Sequence, residues 1–177
     1  EQQNSPLTMG GKGLTNPTQN LADAFGMANG KGINESGSGY DEDHPYVGRD
    51  PRFYMTFAYD GSEFTVNDKT QTIETFEGGK DAPATNKTAN KTGYYLKKLL
   101  SPQAVWDGRT NNITRTWILM RYAEVLLNYA EAMNEYCESP SQAPNDSIYK
   151  VVELIRKRAE LSPYKLPAGL TKEEMRE

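Results

Sequence analysis

From residue 119 onward, apolar and small side chains recur at helical spacing. Leu119, Tyr122, Ala123, Leu126, Ala130, Met133 and Cys137 form one stripe, widened by Ile118, Val125 and Tyr129. The pattern predicts an amphipathic helix over 119–137. Ser139-Pro140 is placed to stop it, and Asn145 or Asp146 to cap a second helix. In that second helix Ile148, Val151, Val152, Ile155 and Ala159 repeat the pattern through to Leu161. Two amphipathic helices joined by a short turn are expected to pack antiparallel, in outline a tetratricopeptide-like pair. Ala123, Ala130 and Ala159 would let their backbones approach closely.

Upstream the pattern is shorter and more broken. Residues 1–17 are Gly, Pro and polar rich, as an extended loop is. Asn16-Pro17 predicts a helix start, with Leu21, Ala24, Phe25 and Ala28 on one face and Gly30 closing it. A Gly/Ser/Asp loop then spans 30–48. Past Asp50-Pro51, the alternation of Phe53, Met55, Phe57 and Tyr59 predicts a strand, with Asp60-Gly61 as its hairpin turn. Glu63–Val66 would return, Thr70–Phe76 would add a third strand, and Tyr94–Leu100 a short fourth. The polar stretch 77–92 reads as a surface loop. The fold class is therefore mostly α, with a small β-hairpin or meander and long loops.

Composition alters one part of that picture. Hydrophobic residues make up 36% and mean hydropathy is −0.78, low for a 177-residue chain that must bury a core. Either loops take up much of the length or part of the core lies in sequence outside this chain. The capping box Thr171-Lys-Glu-Glu174 opens a helix at the very end. The chain is accordingly expected to be a piece of a longer protein. Net charge is −4, and Lys and Arg are scattered, so the basic stripe that nucleic acid requires is absent. No run approaches the ~18 apolar residues of a membrane span. One cysteine, Cys137, allows no internal disulfide.

Candidate chemistry is sparse. His44, in a polar loop, and Cys137, on an apolar helical stripe, are the only residues of their kinds and stand far apart in sequence. No catalytic dyad follows from that spacing. Glu124, Glu131 and Glu135 share a helix face without a local glycosidase motif, which is the pattern of a solvated or Arg-paired face. Asp41-Glu42-Asp43 gathers oxygens of the kind calcium takes, but lacks the EF-hand loop pattern. No cofactor is expected, with calcium the alternative. Aromatic side chains flanked by polar ones suit sugar rings, whose C–H face packs on an aromatic face. Trp106, Tyr40 and Tyr46 have such surroundings, whereas Trp117 is expected in the core. Arg49, Asp50, Arg52, Arg121 and Glu124 are expected to hold the fold together through Arg–carboxylate and Arg–carbonyl contacts.

Four motifs in order carry a family resemblance. They are Asn16-Pro-Thr-Gln-Asn-Leu-Ala-Asp-Ala-Phe25, Arg49-Asp-Pro-Arg-Phe53, Arg121-Tyr-Ala-Glu-Val-Leu-Leu-Asn-Tyr-Ala-Glu-Ala-Met-Asn-Glu135 and Ile155-Arg-Lys-Arg-Ala159. Together they resemble the C-terminal portion of SusD/RagB proteins. The resemblance implies part of a single domain, with a loop, helix and hairpin region over 1–112 and a helix pair over 113–177. It also implies a non-catalytic outer-membrane lipoprotein, exposed at the cell surface of a Bacteroidetes-type bacterium. Such a protein is anchored by an N-terminal lipid outside this chain and captures oligosaccharides for a SusC-like TonB-dependent transporter. A RagB-like peptide binder, a secreted carbohydrate-active enzyme on a helical scaffold, and a pure interaction scaffold are the alternatives.

Overall fold

In a computed structural model, described for residues 2–83, 90–104 and 116–176, the chain forms two compact units. One comprises Glu1–Phe25 with Arg52–Arg115, the other Gly26–Pro51 with Thr116–Glu177. Over the described residues helix outweighs strand, and all the strands lie in the first unit.

The first unit opens with two short 3₁₀ helices, Gln2–Asn4 and Leu7–Met9, inside the segment expected to be an extended loop, and its first α-helix is α1 (Gln19–Asp23), whose N-cap is Thr18. The Thr18 hydroxyl accepts from the Leu21 N–H, the bond that an N-cap side chain supplies. The helix expected from Asn16 therefore starts later. The Asn16 carboxamide instead donates to the Gly13 carbonyl and accepts from the Lys91 N–H. Gly30 closes a turn onto the Met27 carbonyl and does not end a helix.

The strand expected over 53–59 is mostly helical. α2 covers Pro51–Thr56, and only Phe57–Ala58 form β1, paired antiparallel with β4 (Tyr95–Leu96). Spacing explains the outcome. Phe53 and Phe57 are four apart and fully buried, while Met55, which strand alternation would place with them, is 61% exposed. The Asp60-Gly61 turn forms but joins no paired strands. β2 (Glu63–Val66) instead pairs with β3 (Lys69–Thr72), and the turn between them is Asn67-Asp68. Both turn residues have positive φ, 50° and 55°, as the two-residue hairpin turn with left-handed central residues requires.

Two clusters fill this unit. Phe25, Phe53, Phe57, Tyr59 and Tyr94 meet edge-on or tilted, with Phe53–Phe57 centroids 4.8 Å apart and Phe25–Phe57 5.2 Å apart. Ala58, Phe64, Val66, Ile73 and Tyr95 form the other, with Met9 packed in from the N-terminal loop. Below it lies the buried Asp81, whose carboxylate accepts from the Thr8 N–H and hydroxyl and from the Glu74 N–H. Tyr95 donates its hydroxyl proton to the Asp81 carbonyl at 3.0 Å.

Burial, and then the nearby Asp81 charge, push the Tyr95 hydroxyl from 10.0 up to about 12. A folded-state value above the unfolded one contributes stability that is full below pH 10 and lost as pH rises towards 12. Denaturant midpoints taken between pH 9 and 12 should therefore fall, and the fall should be shallower in Tyr95→Phe.

In the second unit, α3 (Tyr122–Tyr136) packs on α4 (Ser147–Arg158). Ala130, Ala143 and Ile148 form the centre, flanked by Met133, Cys137, Val151, Val152 and Met175. α3 starts three residues after the expected 119, with Arg121 extended at the N-cap. Before it, 116–120 carries no regular structure. Trp117 is 75% and Leu119 87% exposed, so Trp117 is not a core residue of this structure. α5 (Lys172–Arg176) follows the expected capping box. The Thr171 hydroxyl accepts from the Glu174 N–H, and Glu174 accepts from both Thr171 donors. No helix among the described residues is long and apolar enough to cross a membrane.

Candidate ligand-binding loop

The segment Gly26–Asp50 holds Tyr40, Tyr46, Arg49 and Asp50, half of the expected site residues, and its two ends are zipped together. Met27 bridges Arg49 antiparallel, the Ala28 N–H donates to the Gly48 carbonyl, and the Asp50 N–H to the Gly26 carbonyl. At Gly26 the Lys31 carbonyl comes so close that a Cβ would collide with it, so the tight turn there takes glycine. Arg49 sits at the neck of the loop and is 2% exposed. Its guanidinium donates to the Pro45 carbonyl at 2.9 Å and the Gly26 carbonyl at 3.4 Å, and lies 5.5 Å from the Tyr40 ring centroid. That is cation–π distance, so one face of Tyr40 is occupied by the chain's own arginine. Tyr40 and Tyr46 are both half-buried, and Asp50 is buried beside Arg49.

The tip of the loop carries the other expected groups. His44 Nδ1 lies 2.8 Å from Asp41 Oδ2, and Asp41 Oδ1 accepts from the Asp43 N–H. These two hydrogen bonds, His44 first, hold the Asp41 carboxyl below its ordinary 3.8. Both carboxylate oxygens are thus engaged within the loop, and Asp41, Glu42 and Asp43 all face solvent. No group of three or more His, Cys, Asp or Glu among the described residues is placed to hold a metal.

A second arginine, which sequence reasoning passed over, braces the same loop. Arg156, on α4, donates to the Tyr164 and Pro163 carbonyls at 3.1 Å each and reaches the Gly30 carbonyl at 3.5 Å. Gly30 stands at φ 81°, and a Cβ there would collide with this guanidinium. The Ser162 N–H donates to the Ala28 carbonyl beside it. The contact of Arg156 with Gly30 spans 126 positions, so no local pattern marks it.

The remaining expected residues are dispersed. Trp106 lies outside the described residues. Arg121 and Glu124 are exposed at the start of α3, where the Glu124 N–H closes the first turn onto the Arg121 carbonyl. Arg52 lies on α2, in the first unit. The loop can thus present tyrosine edges and faces, backbone carbonyls and exposed carboxylates on a framework fixed by two arginines. That is a set for non-covalent contact.

The SusD family model matches residues 1–177, the whole chain. The chain belongs to the SusD family. Its fold is that of a SusD-like protein from Bacteroides fragilis, with TM-score 0.68 and 28% identity over 95% of this chain and 32% of that one. A SusD-like carbohydrate binding protein from the same species aligns with TM-score 0.69 and 22% identity, over 99% of this chain and 34% of that one. This SusD-family chain therefore spans about a third of the length of both structures. No curated protein matches it.

Proposed function

We propose that the protein captures glycans at the bacterial cell surface, without catalysis, and passes them to a SusC-like TonB-dependent transporter of the outer membrane. The observation that carries this reading is the family match across the full chain, together with a carbohydrate-binding protein of the same fold. The loop Gly26–Asp50 is consistent with it. Tyr40 and Tyr46, both half-buried, bring aromatic rings of the kind that stack on sugars to this loop, and the neighbouring carbonyls and carboxylates provide acceptors for hydroxyls. Trp106, in the polar run Val105-Trp-Asp-Gly-Arg109, is the third candidate platform. Attachment would be through an N-terminal lipid outside this chain.

The test is binding of the full-length protein to a panel of oligosaccharides and peptides, followed by product analysis after long incubation. Saturable glycan binding without new reducing ends, weakened about tenfold or more in Trp106→Ala or Tyr46→Ala, supports the reading. Loss of one stacking contact of 1.4 kcal/mol gives that factor. Cleavage of any glycan overturns the non-catalytic assignment. Binding of peptides alone replaces the ligand class with the RagB-like one.

A further inference from the structure

α3 carries more apolar surface than α4 and α5 cover. Ala123, Leu126, Ala130, Met133 and Cys137 share one side, buried or half-buried, and that side packs against α4. Asn134 is buried at its margin, where Nδ2 donates to the Lys172 carbonyl at 3.0 Å. Beside it runs a second stripe, Tyr122, Val125, Tyr129, Ala132 and Tyr136, with the same alternating spacing of three and four residues. All five are exposed, Tyr122 at 73% and Tyr136 at 86%. Tyr129 is held at the border of the two stripes, since its hydroxyl donates to Ser147 Oγ at 2.9 Å.

The polar residues occupy what is left. Glu124, Asn128, Glu131 and Glu135 gather on one narrow arc. At ~100° per residue the two apolar stripes together span roughly 220° of the helix, about twice the width that a helix burying one face needs. A helix patterned in this way is packed on two sides and wetted on the third. The exposed run Trp117-Ile-Leu-Met120 leads straight into the second stripe and enlarges it. Apolar surface gathered in one place to this extent marks a face that something covers.

The comparisons say where the cover comes from. Nearly all of this chain is matched inside two structures about three times its length, so about two thirds of each relative has no counterpart here. A segment tethered to the face meets it at an effective concentration that a free partner rarely reaches. The spacing says what shape the cover has. Alternation of three and four residues along the whole of the 15-residue α3 suits another helix lying at a shallow angle, with side chains interdigitating over ~22 Å. A crossing strand or loop would meet such a stripe at one or two points only. We infer that the stripe Tyr122–Tyr136 is an intramolecular docking face, covered in the full-length protein by an amphipathic helix from outside residues 1–177. This rests on the lengths of the relatives and on the pattern of α3, and does not depend on the glycan reading.

The experiment places the photo-crosslinker p-benzoylphenylalanine at Tyr122 or at Tyr136 of the full-length protein, one at a time. Each sample is irradiated when dilute, and the linked peptides are identified by mass spectrometry. The expected products run at monomer mass and join each position to one segment outside residues 1–177, with the two attachment points about four helical turns apart. Ala132→Lys gives a second readout. Lysine keeps helix propensity and faces Glu135 one turn on, so on a solvated surface it leaves the urea midpoint unchanged. Under a covering helix it lowers that midpoint, and if the variant fails to fold, the crosslinks still decide. Products at dimer mass would assign the face to a second copy, and products with a co-purified membrane protein to a transporter. Either result overturns the proposal. So do links confined to residues 1–177, yields no higher than from the crosslinker at Glu124 on the polar arc, or an unchanged midpoint in Ala132→Lys.

Discussion

Phe53→Ala is expected to lower the unfolding free energy by about 3–5 kcal/mol, the range for removing a fully buried aromatic ring. Phe53 has no exposed surface and meets four other rings, those of Phe25, Tyr54, Phe57 and Tyr59. Alanine would leave a void walled by rings that cannot all turn inward, because Phe57 is tied to β1 and Phe25 follows α1. Edge-to-face contacts worth about 0.5–1.5 kcal/mol per pair would be lost with it. Met55→Ala, two residues along the same helix but exposed, should change stability by no more than about 0.5 kcal/mol. Urea unfolding of the full-length protein measures both. A similar effect at the two positions would mean that α2 does not bury its Phe53 face.

The contrast between those neighbours also shows what the sequence could and could not tell. Read by twos, Phe53, Met55, Phe57 and Tyr59 suggest a strand. Read by fours, Phe53 and Phe57 share a side, and Asp50-Pro51 starts a helix. The structure follows the second reading because the buried partners lie on that side only. Hairpin chemistry was misplaced for a related reason. Asp60-Gly61 and Asn67-Asp68 are both turn pairs, and only long-range pairing of β1 with β4 removes Phe57–Ala58 from the hairpin. In contrast α3 and α4 were legible, since their periodicity is local and sustained.

The family motifs pointed to Arg49 and Asp50 because those residues stand in a compact run. Arg156 and Asp81 were not legible. Arg156 braces Gly30 from 126 positions away and Asp81 accepts from Thr8 across 73, distances that no local pattern encodes. Asn134 left a readable trace. It falls four residues after Ala130, at the spacing of the apolar stripe, and a polar residue there marks either a solvated break or a buried amide.

Arg49→Ala is the second large effect, expected at about 3 kcal/mol. The guanidinium donates to two loop carbonyls; its removal takes the 2.9 Å bond from the Pro45 carbonyl, at about 1–3 kcal/mol, while the Gly26 carbonyl keeps the Asp50 N–H, and a buried side chain's packing goes with it. The stacking on Tyr40 is lost as well. Arg49→Lys retains the charge but not the planar fork that reaches Gly26 and Pro45 at once, so it should recover little. Hydrogen exchange resolves where the loss occurs. Amides of Ala28, Asp50 and Ser162, whose acceptors lie at the loop neck, should exchange faster in both variants. The amides of β2 and β3 should respond less. Native-like exchange at Ala28 and Asp50 in Arg49→Ala would show that the backbone zipper closes the loop without the arginine.

The same loop carries a chemical clock. Asn29-Gly30 is the dipeptide most prone to deamidation, because a glycine nitrogen readily attacks the preceding side-chain carbonyl to form a succinimide. Here both reactants are restrained. The Asn29 carboxamide donates to the Ser38 carbonyl and accepts from the Lys31 N–H, while the Gly30 N–H is directed at the Met27 carbonyl. The ring can close only after those bonds have opened. Isoaspartate at position 29 therefore accumulates in proportion to the time the loop spends undone, and ageing of a stored sample becomes a record of its local unfolding.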